Sequence, residues 1–282
     1  MIDKNLLKKL KLVVLDLDGT LLNDEGYISQ ETIEIIAKLR QMGVMFSFAT
    51  GRLQCAIADY AAQLGIKLPL ISLDGALIQS FPDKLTIFES FVPDKYVRRV
   101  IGMADRFLLK TALCHDEAIY YTEFNSAVPF ILDKYGARFK EIGSYDSYTG
   151  RTLELVVAGE QNDAIKYIKG KLSFPYGFGL NLSYYKSHYH KGIYYLEVRK
   201  KGVSKGSGFK RLVKYLKLHV GETAVIGDWY NDRSLFETGA LKIAVANAVP
   251  EIKKLAQLVT SKTNNEGGVA EFLEMVLRSK QG

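Results

Sequence analysis

The stretch that most constrains the fold is an apolar run near the start of the chain that ends in two aspartates. Residues Leu12–Leu15 are continuously apolar, and Asp16, Asp18 and Gly19 follow them. A run of this length predicts a strand that is buried on both faces, as in a parallel sheet. If the strand continues, Asp16 and Asp18 point the same way, because side chains alternate between the two faces of a strand. The run therefore predicts two neighbouring carboxylates at the end of a buried strand.

Two carboxylates in such a place cost stability unless something offsets their charge. Unpaired aspartates repel each other, and burial disfavours their ionised forms. A divalent cation such as magnesium removes that cost, because hard cations prefer carboxylate and carbonyl oxygens. Gly19 allows the backbone to approach a ligand and to present N–H groups to it. The pattern indicates a site for a phosphate and a metal, although Asp-Gly is also an ordinary turn dipeptide.

Apolar runs alternate with helical periodicity over the first 80 residues. Ser29 is suited to cap the start of one helix, and Gly43 to end it in a left-handed conformation. The predicted helices cover residues 30–42 and 53–64, and the predicted strands cover residues 12–15, 44–49 and 70–73. This alternation predicts an α/β fold with a doubly wound parallel sheet. In such a sheet, ligands bind beyond the carboxyl ends of the strands.

Two further predicted strands each end in a turn that contains a glycine, and the first of these turns also has a threonine hydroxyl. The second strand runs into Thr50-Gly51-Arg52, where a hydroxyl and backbone N–H groups are suited to hold phosphate oxygens. The third strand runs into Asp74-Gly75. A Thr-Gly turn is common, so this stretch alone is weak evidence for a phosphate site.

A lysine and a second acidic cluster occur late in the chain. Lys205 and Gly206 precede a predicted helix over residues 207–218, where a lysine can reach an anion at the sheet edge. A predicted strand over residues 223–226 then runs into Gly227-Asp228-Trp229-Tyr230-Asn231-Asp232. Acidic residues therefore follow two separate predicted strands.

In this order the four stretches resemble the motifs of the haloacid dehalogenase (HAD) superfamily of phosphohydrolases. The motifs are Asp16-Leu17-Asp18-Gly19-Thr20, Thr50-Gly51-Arg52, Lys205-Gly206 and Gly227-Asp228-Trp229-Tyr230-Asn231-Asp232. The resemblance covers about residues 10–80 and 196–278, and Ala246-Asn247-Ala248 in the tail also looks like the Cof-type phosphatases. Asp74 departs from that pattern, because the subgroup usually has asparagine there, and no role is predicted for it.

The interval between the second and third motifs predicts an inserted domain. Only 32 residues separate Asp18 from Thr50, whereas 155 separate Thr50 from Lys205. The sequence predicts a Rossmann-like core over residues 1–81 and 196–282, with an inserted α/β cap domain over residues 82–195. This placement resembles the type-2 cap of HAD subclass IIB. Predicted cap strands cover residues 85–91, 108–114, 118–122, 152–158 and 179–185, and predicted cap helices cover residues 94–106, 126–135 and 162–171.

The resemblance implies a magnesium-dependent phosphatase that hydrolyses sugar phosphates or other small phosphate monoesters through an aspartyl-phosphate. Asp16 would be the nucleophile and Asp18 the general acid and base, with Lys205 as the third catalytic residue. The implied phosphate-binding residues are Gly19, Thr50, Gly51, Arg52 and Lys205. The implied ligands of Mg²⁺ are Asp16, Asp18, Asp228, Asn231 and Asp232.

Two other functions stay open for a chain with these motifs. A phosphomutase or phosphoryl transferase would use the same aspartates, although the small-capped mutases of the superfamily insert their caps between the first two motifs. A non-catalytic regulatory protein would keep the fold and lose the chemistry. The presence of both Asp16 and Asp18 argues against that alternative.

The composition limits which binding partners and which cellular compartment we expect. The chain has 282 residues, 48% hydrophobic and 24% charged, and a net charge of +7 that is spread along its length. We expect a small phosphorylated metabolite as the partner, with no nucleic acid and no membrane, because no apolar stretch approaches the roughly 20 residues of a bilayer span. Cys55 and Cys114 form no disulfide framework, which predicts a cytoplasmic location. His188 and His190 lack a nearby third ligand and are interpreted as polar cap residues.

Overall fold

The structure is a computed structural model that covers the chain and describes residues 3–132, 136–187 and 190–282. These residues form two compact units. The first unit comprises the described residues of Met1–Gly51, Ile57–Ile87 and Ser204–Gly282. The second comprises those of Arg52–Ala56 and Phe88–Val203. Among the described residues, every helix is too short or too polar to cross a bilayer.

The secondary structure alternates helices with strands along most of the chain. The helices are α1 (Lys4–Lys8), α2 (Gln30–Gln41), α3 (Gln54–Gln63), α4 (Asp94–Arg106), α5 (Val128–Ile131), α6 (Asn162–Leu172), α7 (Lys205–Tyr215), α8 (Arg233–Phe236), α9 (Pro250–Leu255) and α10 (Gly268–Gln281). The strands are β1 (Leu12–Leu15), β2 (Met45–Phe48), β3 (Leu70–Ser72), β4 (Leu77–Gln79), β5 (Thr86–Glu89), β6 (Lys110–Cys114), β7 (Ile119–Thr122), β8 (Phe139–Ile142), β9 (Glu154–Gly159), β10 (Leu180–Lys186), β11 (Tyr194–Lys200), β12 (Thr223–Gly227), β13 (Leu241–Ala244) and β14 (Leu258–Val259).

The first unit is built on a five-stranded parallel sheet with the order β14-β13-β12-β1-β2. Val13 in the central strand pairs with Ala224 on one side and with Phe46 on the other. All four residues of β1 are buried, as expected for an apolar run that is covered on both faces. The predicted α/β fold with a parallel sheet is confirmed.

Local signals set the ends of α2 as predicted. The Ser29 hydroxyl accepts a hydrogen bond from the backbone N–H of Thr32 at 3.2 Å, which satisfies one of the unpaired donors at the start of the helix. Gly43, just after the helix, adopts the left-handed conformation with φ of 84°. This helix packs against the C-terminal helix α10.

The second unit has a six-stranded sheet with the order β10-β11-β9-β6-β7-β8. Its neighbours are antiparallel except for β7 and β8. Helices α4 and α6 pack on one face of it, and their apolar residues share a core with those of β6, β9 and β11. The predicted helix over residues 126–135 corresponds in part to the short helix α5, and residues 133–135 lie outside the described residues.

The limits of the two units differ from the predicted domain boundaries at residues 81/82 and 195/196. Strand β11 crosses the second predicted boundary and pairs with both β9 and β10, so residues up to Val203 group with the second unit. The first part of the first unit extends to Ile87, and the short segment Arg52–Ala56 groups with the second unit. The assignment of the second unit as a cap stays a prediction.

A close backbone approach fixes the start of α7 in the first unit. The Gly206 N–H donates a hydrogen bond to the Ser234 hydroxyl at 2.9 Å. A Cβ atom at Gly206 would lie 2.0 Å from the carbonyl oxygen of Ser234, far inside van der Waals contact. Only glycine therefore allows the first turn of α7, which begins at Lys205, to lie directly on α8.

We predict that Gly206→Ala destabilises the first unit, whereas Gly102→Ala does not destabilise the second. The Gly206 change overpacks a rigid backbone contact and should cost about 1–3 kcal/mol. Gly102 lies on the exposed face of α4, and a Cβ atom added there would meet nothing within 4 Å, so alanine should stabilise the helix by about 0.5–1 kcal/mol. Urea unfolding of both variants measures the difference, and equal stability of Gly206→Ala and wild type would contradict the packing.

Candidate active site

The predicted motif residues lie at the carboxyl ends of neighbouring parallel strands. Asp16 follows β1, Thr50 follows β2 and Asp228 follows β12, and these three strands are adjacent in the sheet. The Asp16 N–H donates to the carbonyl oxygen of Ile226 at 3.0 Å, which continues the strand pairing for one more residue. Residues far apart in the sequence therefore meet at one edge of the sheet, as expected for a doubly wound fold.

Three carboxylates form a compact cluster at this edge. One oxygen each of Asp16, Asp228 and Asp232 lies within 4.8 Å of the others, and all three side chains are buried. Carboxylate oxygens at this spacing are a suitable donor set for a hard divalent cation. The structure therefore brings together three of the five predicted metal-binding residues in a group that can bind a metal.

Lys205 supplies a positive charge to the same cluster. Its Nζ donates to Asp16 Oδ1 at 2.5 Å and to Asp232 Oδ1 at 2.6 Å, and the side chain is only 1% exposed. It is the first residue of α7, whose start is capped by the Ser204 hydroxyl through the backbone N–H of Ser207 at 3.1 Å. The cap and the close packing at Gly206 hold this lysine in place.

Burial and mutual repulsion disfavour the ionised carboxylates. Burial raises the pKa of Asp16 well above its ordinary value, Asp232 raises it further, and Lys205 opposes both effects. Burial and repulsion by Asp232 raise the pKa of Asp228 to about 7. Burial lowers the pKa of Lys205, but attraction to Asp16 and Asp232 outweighs it and keeps the ammonium charged. One ammonium among three carboxylates leaves an excess of negative charge, which fits a divalent cation.

Asp232 also organises the loop that carries Asp228. Its Oδ2 accepts hydrogen bonds from the backbone N–H groups of Asp228 at 2.9 Å and of Trp229 at 3.1 Å. A Cβ atom at Gly227 would lie 2.5 Å from this oxygen, so glycine makes room for the carboxylate. Asp232 therefore shapes the loop and anchors Lys205 with its two oxygens.

The loop after β1 packs directly on Asp228. The Thr20 hydroxyl donates to Asp228 Oδ1 at 2.7 Å. Gly19 has a φ of 76°, and a Cβ atom there would lie 2.6 Å from Asp228 Oδ2. The Asn247 amide donates to the Gly19 carbonyl oxygen at 2.7 Å. Thr20 and Asn247 belong to stretches that resemble the family's motifs, but the sequence predicted no site role for either residue.

The first strand does not continue through Asp18, so the condition under which Asp16 and Asp18 would point the same way is not met. Strand β1 ends at Leu15, and the chain then turns, with the N–H groups of Thr20 and Leu22 both donating to the Leu17 carbonyl oxygen. Leu17 is buried, so the turn gives its apolar side chain cover. As a result the side chain of Asp16 is buried whereas that of Asp18 is exposed.

The structure adds Asp74 to the residues at this edge. Its N–H donates to the Thr50 carbonyl oxygen at 2.9 Å, and its Oδ1 accepts from Asn231 Nδ2 at 3.1 Å. A Cβ atom at Gly51 would lie 3.5 Å from the same oxygen. The second and fourth motifs are therefore joined through the backbone N–H and the carboxylate of Asp74, a residue for which the sequence predicted no role.

Three residues singled out in the sequence belong to the second unit or lie outside the described residues. Arg52 groups with the second unit, and its predicted contact with phosphate stays a prediction. His188 lies outside the described residues, and the ring of His190 lies 4.9 Å from that of Phe130. In the described part of the chain, the acidic group of Asp16, Asp228 and Asp232 is the one cluster of potential metal ligands.

The profile of the haloacid dehalogenase-like hydrolase family matches residues 13–273 of the chain. The chain belongs to the haloacid dehalogenase family. Phosphatase YwpJ of Bacillus subtilis is 29% identical over 291 residues, which cover 95% of this chain and all of YwpJ. This HAD-family chain is a phosphatase, as its match to the family and its relatives that are named phosphatases show.

Solved structures share the fold of this HAD phosphatase. A haloacid dehalogenase-like hydrolase from Bacteroides thetaiotaomicron aligns with a TM-score of 0.83 at 24% identity, over 95% of this chain and 99% of that chain. The HAD subclass IIB sugar phosphatase BT4131 aligns with a TM-score of 0.76 at 20% identity, over 94% of this chain and 98% of that chain. The predicted resemblance to subclass IIB of the HAD superfamily is confirmed at the level of fold.

We predict that Asp228→Asn stabilises the metal-free protein. The substitution replaces a carboxyl group, whose ionised form is disfavoured by burial and by Asp232, with a neutral amide and keeps an oxygen for Thr20. The midpoint of thermal unfolding in EDTA should rise by at least about 2–4 °C, the shift that 1 kcal/mol produces in a domain of 150–250 residues. The gain should grow from about pH 4 to pH 7, because there Asp228 is ionised when unfolded and protonated when folded.

The matched control for this prediction is Asp59→Asn, which removes a carboxylate from an exposed position on α3. Its unfolding midpoint should equal that of the wild type at every pH. A destabilised Asp228→Asn protein in EDTA would contradict the argument that charge repulsion dominates at the cluster.

Proposed function

We propose that this chain is a magnesium-dependent phosphatase that hydrolyses small phosphate monoesters through an aspartyl-phosphate formed on Asp16. Sugar phosphates and similar phosphorylated metabolites are the first substrate class to test. The observation that supports the proposal is the position of Lys205 Nζ between Asp16 and Asp232, in a buried cluster that Asp228 completes. This arrangement combines a candidate nucleophile, a cation and a donor set for a metal.

The residues that would hold Mg²⁺ are Asp16, Asp18, Asp228, Asn231 and Asp232. Asp18 would contribute through its backbone carbonyl oxygen, which leaves its exposed side chain for proton transfer. When bound, Mg²⁺ would offset the negative charge of a phosphate monoester and so allow a carboxylate to approach it. The excess negative charge of the cluster supports this assignment, because a divalent cation balances it.

Asp16 must be ionised in order to attack phosphorus. Burial works against ionisation, and the Lys205 ammonium at 2.5 Å favours it. The same contact orients the carboxylate by holding one of its oxygens. Lys205 therefore serves as a fixed positive charge that activates the nucleophile and attracts the phosphoryl group.

The proposed reaction has two steps with opposite proton transfers at Asp18. An Asp16 oxygen bonds to phosphorus, the bond from phosphorus to the ester oxygen breaks, and the Asp18 carboxyl gives its proton to the leaving alcohol. The Asp18 carboxylate then takes a proton from water, whose oxygen attacks phosphorus and releases inorganic phosphate from Asp16. The Asp18 side chain is exposed and therefore accessible to substrate and to water, which supports this role.

The phosphoryl oxygens need donors that do not react. We assign this role to the Thr50 hydroxyl and to the backbone N–H groups at Gly19 and Gly51, with Arg52 as a further candidate. Thr50 and Gly51 follow β2, next to the strand that leads to Asp16. Their position at the carboxyl end of the sheet supports the assignment.

The proposed setting is the cytoplasm, with a small metabolite as partner and with no nucleic acid or membrane. Neither Cys55 nor Cys114 is part of a disulfide, which supports a reducing compartment. The positive net charge suits an anionic substrate.

Phosphate release from a broad panel of phosphate monoesters, with and without Mg²⁺, tests the proposal. We expect turnover that requires Mg²⁺ and that falls at least about 10³-fold in Asp16→Asn, because the amide cannot attack phosphorus. Asp59→Asn is the control and should keep wild-type activity. Turnover that persists in EDTA or in Asp16→Asn would refute the mechanism, and a folded, Mg²⁺-binding protein with no turnover would favour a transferase or a regulatory protein.

A second prediction separates the two roles of Asp18. With p-nitrophenyl phosphate the leaving group needs little protonation, so Asp18→Asn should still transfer phosphate to Asp16. The later attack of water should stall, because the amide takes no proton. Rapid-mixing experiments should therefore show a burst of about one p-nitrophenol per active site, followed by slow turnover. A burst as small as that of Asp16→Asn would contradict the prediction that phosphoryl transfer proceeds while the second step stalls.

A further inference from the structure

Asp74 occupies an unusual backbone conformation between β3 and β4. Leu73, Asp74 and Gly75 are consecutive residues with positive φ angles of 46°, 50° and 95°. Residues other than glycine rarely adopt positive φ angles, and such conformations concentrate at functional sites. A Cβ atom at Gly75 would lie 2.4 Å from the Ser204 carbonyl oxygen, so the turn also packs against the residue before Lys205. The surrounding structure thus enforces the conformation that places Asp74.

The contacts of Asp74 join two motifs of the proposed site. Its backbone N–H holds the Thr50 carbonyl oxygen at 2.9 Å, and its Oδ1 accepts from Asn231 Nδ2 at 3.1 Å. The side chain is buried, and its charge adds to the attraction that Asp16 and Asp232 exert on Lys205. Asp74 therefore touches residues proposed for phosphate and for metal binding.

The chemistry of this hydrogen bond determines which way the Asn231 amide faces. An ionised carboxylate only accepts hydrogen bonds, whereas the two ends of an amide differ, one donating and the other accepting. Asn231 must therefore turn its NH₂ group towards Asp74, and its Oδ1 is directed away from that carboxylate. A hard cation, or a water bound to it, uses the oxygen of an amide and not the nitrogen.

We propose that Asp74 is a positioning residue that orients Asn231 for Mg²⁺. Its carboxylate sets the amide so that Oδ1 is the end presented to the cation or its water. The same residue ties the Thr50 turn to the loop that carries Asn231. This inference rests on the proposed magnesium-dependent function. It assigns a role to a carboxylate that would contact a ligand of the metal and not the metal itself.

Mg²⁺ binding, measured by titration calorimetry on the full chain, tests the proposal without any need for turnover. Asp74→Gly tolerates the positive φ and removes the side chain, so it should fold and bind Mg²⁺ about 10-fold more weakly. Asp74→Asn keeps the shape but can present either end to Asn231, so its loss should be smaller. In Asp74→Asn, saturating Mg²⁺ should restore most of kcat with little change in KM, which a general structural defect would not allow.

A double-mutant cycle with Asn231→Ala tests whether Asp74 acts through Asn231. If it does, the double variant Asp74→Gly, Asn231→Ala should bind Mg²⁺ no more weakly than the more severe single variant. Asp24→Asn is the matched control, because Asp24 also accepts from asparagine amides, at 3.1 Å from Asn264 and 2.9 Å from Asn265, outside the acidic cluster. Its Mg²⁺ Kd should equal that of the wild type.

Two results would overturn the inference alone. One is a Kd of Asp74→Gly within twofold of the wild type, and the other is a double variant whose loss is the product of the two single losses. In both cases wild-type Mg²⁺ binding and Mg²⁺-dependent turnover would stand, and the proposed function with them. A wild-type protein that binds no Mg²⁺ would overturn both this inference and the metal dependence of the proposed function.

Discussion

The candidate site depends on one buried ammonium group shared by two carboxylates. Lys205 is almost fully buried and lies 2.5 Å from Asp16 and 2.6 Å from Asp232. A buried charge requires partners, and removing one member of such a group typically costs about 3–5 kcal/mol because the others stay uncompensated. The position of Lys205 follows in turn from the packing of Gly206 on Ser234. The packing at the start of α7 therefore determines the charge balance at the sheet edge, because it places Lys205 there.

The parallel sheet explains how residues so distant in sequence share that constraint. Thr20 and Asp228 are 208 positions apart, yet the order β12-β1-β2 brings the ends of three strands, and the residues that follow them, to one edge. Each strand is covered on both faces, so polar side chains find room only where the strands end. The fold thus confines the carboxylates to a small volume, and their repulsion follows from the same topology that gathers them.

Local signals explain which parts of this arrangement could be predicted from the sequence. The buried strand β1, the cap at Ser29 and the α4 range Asp94–Arg106 depend on nearby residues, and the structure has them as predicted. The placement of β11 could not be predicted, because its seven residues mix apolar and charged side chains that fit either sheet, and pairing with β9 and β10 decides where it lies. In the site, strand ends located Asp16 and Asp228, but the turn that exposes Asp18 depends on the burial of Leu17.

The features that are least predictable from sequence propensities lie together at the candidate site. Buried like charges in the acidic cluster and a non-glycine left-handed turn at Leu73 and Asp74 each oppose stability or ordinary propensity. A fold selected for stability alone would replace them with apolar or unstrained residues, since buried ionic groups are often neutral or unfavourable. Their concentration at the ends of β1, β3 and β12 supports the proposed binding of a ligand that offsets the charge. In the proposed function, the same features reduce the stability of the metal-free protein, and a bound cation would compensate for that cost.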